Sequence, residues 1–129
     1  MSRDHIVHGT PVRFDNPVWE PLLELVGDYL INDFMWMCAI DLDDGSVIHA
    51  YKHSVTRHYV YVGEAEARTF EWDGEDGYFL VDPRDAIEVV FRDWDYLVVD
   101  PADREEIRAA LHTARERAGD RFEAAIEEA

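Results

Sequence analysis

Phe34-Met35-Trp36-Met37-Cys38-Ala39-Ile40-Asp41-Leu42, the turn Asp43-Asp44-Gly45-Ser46 and the return Val47-Ile48-His49-Ala50-Tyr51-Lys52-His53 together decide the fold. The first arm is apolar and aromatic, and it lacks helix-capping residues. Asp-Gly accepts the positive φ that tight hairpin turns require, so the stretch reads as two antiparallel strands. With Asp44-Gly45 as a two-residue turn, Ile40 faces His49, Cys38 faces Tyr51 and Trp36 faces His53. These six, with Phe34, then share one face of the sheet. Lys52 projects from the opposite face beside Met37. A three-residue turn with a bulge would move the register by one and change every pairing.

Beyond this hairpin, Arg57–Val62, Arg68–Trp72 and Tyr78–Val81 continue an antiparallel meander of about five strands, with a Gly-containing turn at Asp73–Gly77. Ser54–Arg57 reads as the preceding turn, which places His53 opposite His58. On the N-terminal side, Asn16-Pro17 reads as a helix start, and an apolar stripe carries the helix from about Pro17 to Ile31. Residues 5–14 read as an extended arm. Asp82-Pro83 opens a short helix to Phe91, and Tyr96–Val99 reads as an edge strand. Asp100-Pro101 opens a long helix with the narrow stripe Ile107, Leu111, Ala114, Ala118, Phe122 and Ala125. That stripe either docks on the sheet or pairs with a second copy in a homodimer. The expected architecture is one α+β domain over residues 1–129: a five-stranded meander, an N-terminal helix and a C-terminal helical segment packed on one sheet face.

Composition bounds the partners. The chain has 129 residues, 29 acids against 12 Lys plus Arg, and a net charge of −17. Such a charge repels nucleic acid and anionic membranes. The apolar run Phe34–Ile40 is far shorter than the roughly 20 residues of a membrane span. The N-terminus leads into no apolar segment, and Cys38 is the single cysteine, so cytoplasmic residence is expected.

One window departs from the acidic background. The 19 residues between Asp44 and Glu64 contain no acid, yet hold the single lysine, Lys52, with Arg57 and His49, His53 and His58. On a strand, His49 and His53 lie about 13 Å apart, too far to share a metal at bonds near ~2.1 Å. No metal site and no cofactor are expected. Trp36, Tyr51, His53, Arg57 and His58 are the candidate binding residues, for a small anionic molecule or a protein partner. Acid–base catalysis on an anionic, phosphate-containing substrate is the alternative, with His53 or His58 moving the proton and Arg57 clamping the anion. A third reading is an acidic interaction protein that binds a basic partner through its C-terminal half. Cys38, mid-strand, reads as a small buried hydrophobe.

Overall fold

The computed structural model describes residues 6–64 and 68–128, with side chains in the last helix as far as Asp120 and at Glu123. Among these residues there are six strands: β1 (Val7–Arg13), β2 (Phe34–Leu42), β3 (Val47–His53), β4 (Tyr59–Gly63), β5 (Thr69–Trp72) and β6 (Gly77–Val81). The helices are α1 (Glu20–Leu30), α2 (Pro83–Val90), the single turn α3 (Trp94–Leu97) and α4 (Pro101–Glu128). The α+β class therefore holds.

The meander does not stay open. β1 pairs with β2 on one side and with β6 on the other, through Val7↔Tyr78 and His8↔Gly77, closing a six-stranded antiparallel barrel. The five-stranded sheet is thus corrected to a barrel of six, and the N-terminal arm is its first strand. Both partners of β1 are distant in sequence and most of its side chains are exposed, so no local period announces it. Close approach is possible because residue 9 is glycine: a Cβ there would lie 2.7 Å from Leu42 and 2.9 Å from Ile40.

The first hairpin also differs in register. Gly45 N donates to Leu42 O at 3.0 Å and Leu42 N to Ser46 O at 2.9 Å, with Gly45 at φ 91°. The loop therefore has three residues with glycine in the left-handed position. Ile40 pairs with Ile48, Ala39 with His49 and Cys38 with Ala50; a bulge at Met37 then sets Trp36 against Tyr51 and Phe34 against His53. The pairings expected from a two-residue turn are corrected accordingly. Cys38 and Ile40 leave the face that carries Trp36, Tyr51 and His53, and Lys52 stands opposite Met35 rather than beside Met37.

Two cores follow from the pleat. Val7, Ile40, Ile48, Tyr61, Phe70 and Tyr78, one from each strand, cluster without any helical residue and fill the barrel interior. The outer face, with Tyr51, Val60 and Val62, packs instead against Leu22 of α1, Ile87 of α2 and Leu111 of α4. The long helix reaches the core mainly by packing on α1 and α2. In its stripe Leu111, Ala114 and Ala118 are buried and Ile107 is partly so; the side chains of Phe122 and Ala125 lie outside the described residues.

Two of the three expected proline starts carry their caps. Asp82 Oδ1 accepts from Arg84 N at 2.9 Å, and Asp100 Oδ1 from Ala102 N at 2.8 Å. Asn16 does not: it sits at φ 60°, and α1 begins after Trp19 with Pro21 in its first turn. The expected edge strand at Tyr96–Val99 is replaced by α3, because a closed barrel offers no edge to extend. No helix among the described residues is long and apolar enough to cross a membrane.

Candidate functional site

Trp36, Tyr51, His53, Arg57 and His58 do not form one open surface. Tyr51 is 0% and His53 4% exposed, and Tyr51 lies under the helices. The Tyr51 hydroxyl donates to Val18 O at 2.6 Å, and burial pushes its pKa far above the ordinary tyrosine value. His53 sits edge-on between Phe34 and Phe91, each at a centroid distance of 4.9 Å. Its Nδ1 accepts from Val55 N and Thr56 N, both at 3.1 Å, so the ring caps the β3–β4 turn. Thr56 Oγ1 in turn donates to Val90 O at 2.6 Å, tying that turn to α2. Arg57 occupies the exposed tip of the same turn at φ 68°, and His58 O accepts from His53 N at 2.9 Å. His53, Arg57 and His58 are thus brought to one hairpin, but the free acceptor nitrogen of His53 is taken by backbone.

His49, which the sequence left outside the candidate set, is the polar residue with the most unusual surroundings. It is 1% exposed, and its Nδ1 accepts from Trp36 Nε1 at 3.0 Å. Indole nitrogen only donates, so the neutral ring carries its proton on Nε2. Nε2 lies 3.4 Å from Glu64 Oε2 without hydrogen-bond alignment, and it has no hydrogen-bond partner among the described residues. Burial lowers the His49 pKa, while the Glu64 charge opposes that shift.

Glu64 leads to a cavity. A concave pocket of about 680 Å³ opens where the β2–β3 turn meets the end of β4. Val7, Ile48, Phe70 and Leu80 supply apolar walls, and Asp44, Glu64 and Arg68 are its charged groups among the described residues. Asp44 is already engaged: its Oδ1 accepts from Ser46 N at 2.9 Å and Ser46 Oγ at 2.5 Å. Those bonds, with Arg68 nearby, hold its carboxyl below the ordinary range. Arg57 and His58 lie at the other end of β3, about 20 Å away along a strand of this length. Among the described residues, no three His, Cys, Asp or Glu side chains gather as a metal-binding group.

The turn at Asp43–Ser46 and the end of the acid-free window at Glu64 were both legible in the sequence. Their convergence with Val7 and Leu80 was not, because it depends on barrel closure. Compared with known proteins, the chain matches no family model, no curated protein and no solved structure.

Proposed function

We propose that this chain is a non-enzymatic binding module that takes a small, largely apolar molecule into the mouth of its barrel. The observation that carries this reading is the pocket itself: about 680 Å³, with apolar walls drawn from β1, β3, β5 and β6 and charge confined to a few groups. Volume and lining both match the general character of small-molecule sites, where apolar area supplies affinity and a few polar groups supply orientation. The histidines of the outer face serve the fold: His53 caps a turn and His49 receives the Trp36 indole.

A series of linear alcohols of increasing length tests the reading, followed by ¹H–¹⁵N correlation spectra. Affinity should rise by up to about fourfold per buried methylene until the pocket is filled. Amide shifts should concentrate at Ile48, Gly63 and Phe70, and Leu80→Arg, at a position 51% exposed, should weaken binding while leaving the fold intact. Shifts scattered over the surface, or affinities independent of chain length, would sink the proposal.

A further inference from the structure

We infer that the molecule held at the barrel mouth carries a cationic head, an ammonium or equivalent group, which Glu64 receives; this rests on the pocket reading above. Three observations converge on it. Among the described residues the charged lining consists of two carboxylates and one guanidinium, one net negative charge. Asp44 is committed to the Ser46 N–H and hydroxyl, and the Arg68 charge acts on it as well. Glu64 is therefore the carboxylate that remains for a ligand, and it is 50% exposed in its side chain.

His49 adds an independent pointer. Its buried Nε2 stands 3.4 Å from Glu64 Oε2, unaligned for a hydrogen bond and without another partner among the described residues. Burial keeps that imidazole neutral near pH 7, so it does not cancel the Glu64 charge. A neutral ring leaves Glu64 able to pair with an incoming cation. The long-range field agrees, since a net charge of −17 draws cations in and repels anions. An anionic ligand, expected from Trp36, Tyr51, His53, Arg57 and His58, would meet one guanidinium, Arg68, beside two carboxylates at this end of the barrel.

The ligand thus has two parts. An apolar body lies along Phe70, Leu80 and Val7, and a positive group reaches the rim at Glu64.

Octylammonium, octanol and octanoate share one tail and differ only in head group, so titrating each into the protein separates the two parts of the claim. Octylammonium should bind tightest and octanoate weakest. Glu64→Gln should erase about fivefold of the ammonium preference, the scale of a half-exposed ion pair, and leave octanol affinity unchanged. Raising the salt concentration should shrink the same preference in the native chain. If the three ligands bind equally, or octanoate binds best, the cationic head is refuted and the apolar pocket stands. If the ammonium preference survives Glu64→Gln in full, the overall charge produces it and the assignment to Glu64 falls. If none of the three shifts the amides of Ile48, Gly63 or Phe70, the pocket reading fails along with it.

Discussion

The indole of Trp36 donates to Nδ1 of His49 across 3.0 Å, joining the outer face of β2 to that of β3 and settling which nitrogen of the histidine carries the proton. The bulge at Met37 makes the contact possible, because it brings Trp36 onto the same face as His49 despite their offset register. Trp36→Phe keeps most of the apolar area but removes the donor, leaving both ring nitrogens of a 1% exposed histidine without a hydrogen bond. The expected loss is about 1–3 kcal/mol of stability. Urea denaturation monitored by circular dichroism measures it, and an unchanged midpoint would show that the bond contributes nothing net.

Acid should destabilise the fold through its buried histidines. Burial depresses the pKa of both His49 and His53 below the ordinary value of 6.5, with Glu64 and Asp33 opposing in part. The folded chain therefore keeps both rings neutral where the unfolded chain protonates them. Their contribution is present above about pH 6.5 and is lost as the pH falls through the folded values. The denaturation midpoint should drop from about pH 7.5 to about pH 5.5, and drop less in His53→Gln, whose amide oxygen can still accept from the turn. Equal slopes for the two proteins would remove His53 from the explanation.

Gly27 tests the backbone of α1. At φ 89° and ψ 171° it occupies a region essentially restricted to glycine, and it breaks the helix into two segments. Arg117 crosses over it, with Nη2 donating to Leu25 O at 3.3 Å. Gly27→Ala should cost about 1–3 kcal/mol and lower the melting temperature by several degrees. Gly45→Asn is the control and should cost less: asparagine tolerates positive φ better than alanine does, and nothing stands within 4 Å of a side chain there. Comparable losses at the two sites would contradict the assignment of strain to Gly27.

Salt should stabilise this protein. A net charge of −17 implies self-repulsion in the compact state. Ion pairs such as Arg108–Glu105, 2.5 Å apart but 55% and 75% exposed, offset little of it. Between about 10 mM and about 1 M salt the screening length contracts from about 30 Å to about 3 Å. Thermal melts across that range should move upward; a flat or falling melting temperature would show that repulsion does not limit stability.

Much of the secondary structure follows from local chemistry. The bounds of β2 and β3, the turns at Asp44-Gly45 and Ser54–Arg57, and the starts of α2 and α4 are written in apolar runs, Asp-Gly and Asp-Pro steps, and caps that act within four residues. The α+β class and the buried stripe of α4 follow from the same short-range periods. Barrel closure is different in kind, since β1 finds its partners across Val7↔Tyr78 and Gly9↔Leu42, separations that no local pattern encodes. Register depended on a one-residue choice between turn types, and that choice moved Cys38 and Ile40 to the interior. The candidate site inherits both decisions. Trp36, Tyr51 and His53 were recognisable as neighbours on one face, but whether that face meets solvent depends on where α1, α2 and α4 pack. The pocket lined by Val7, Glu64 and Leu80 exists only once residues far apart in sequence are held at one rim. Sequence by itself determined most of the elements and the balance of charge, because propensity, capping and ionisation act locally. The tertiary structure decided what is buried, what is paired and what is open, because burial and pairing depend on partners distant along the chain.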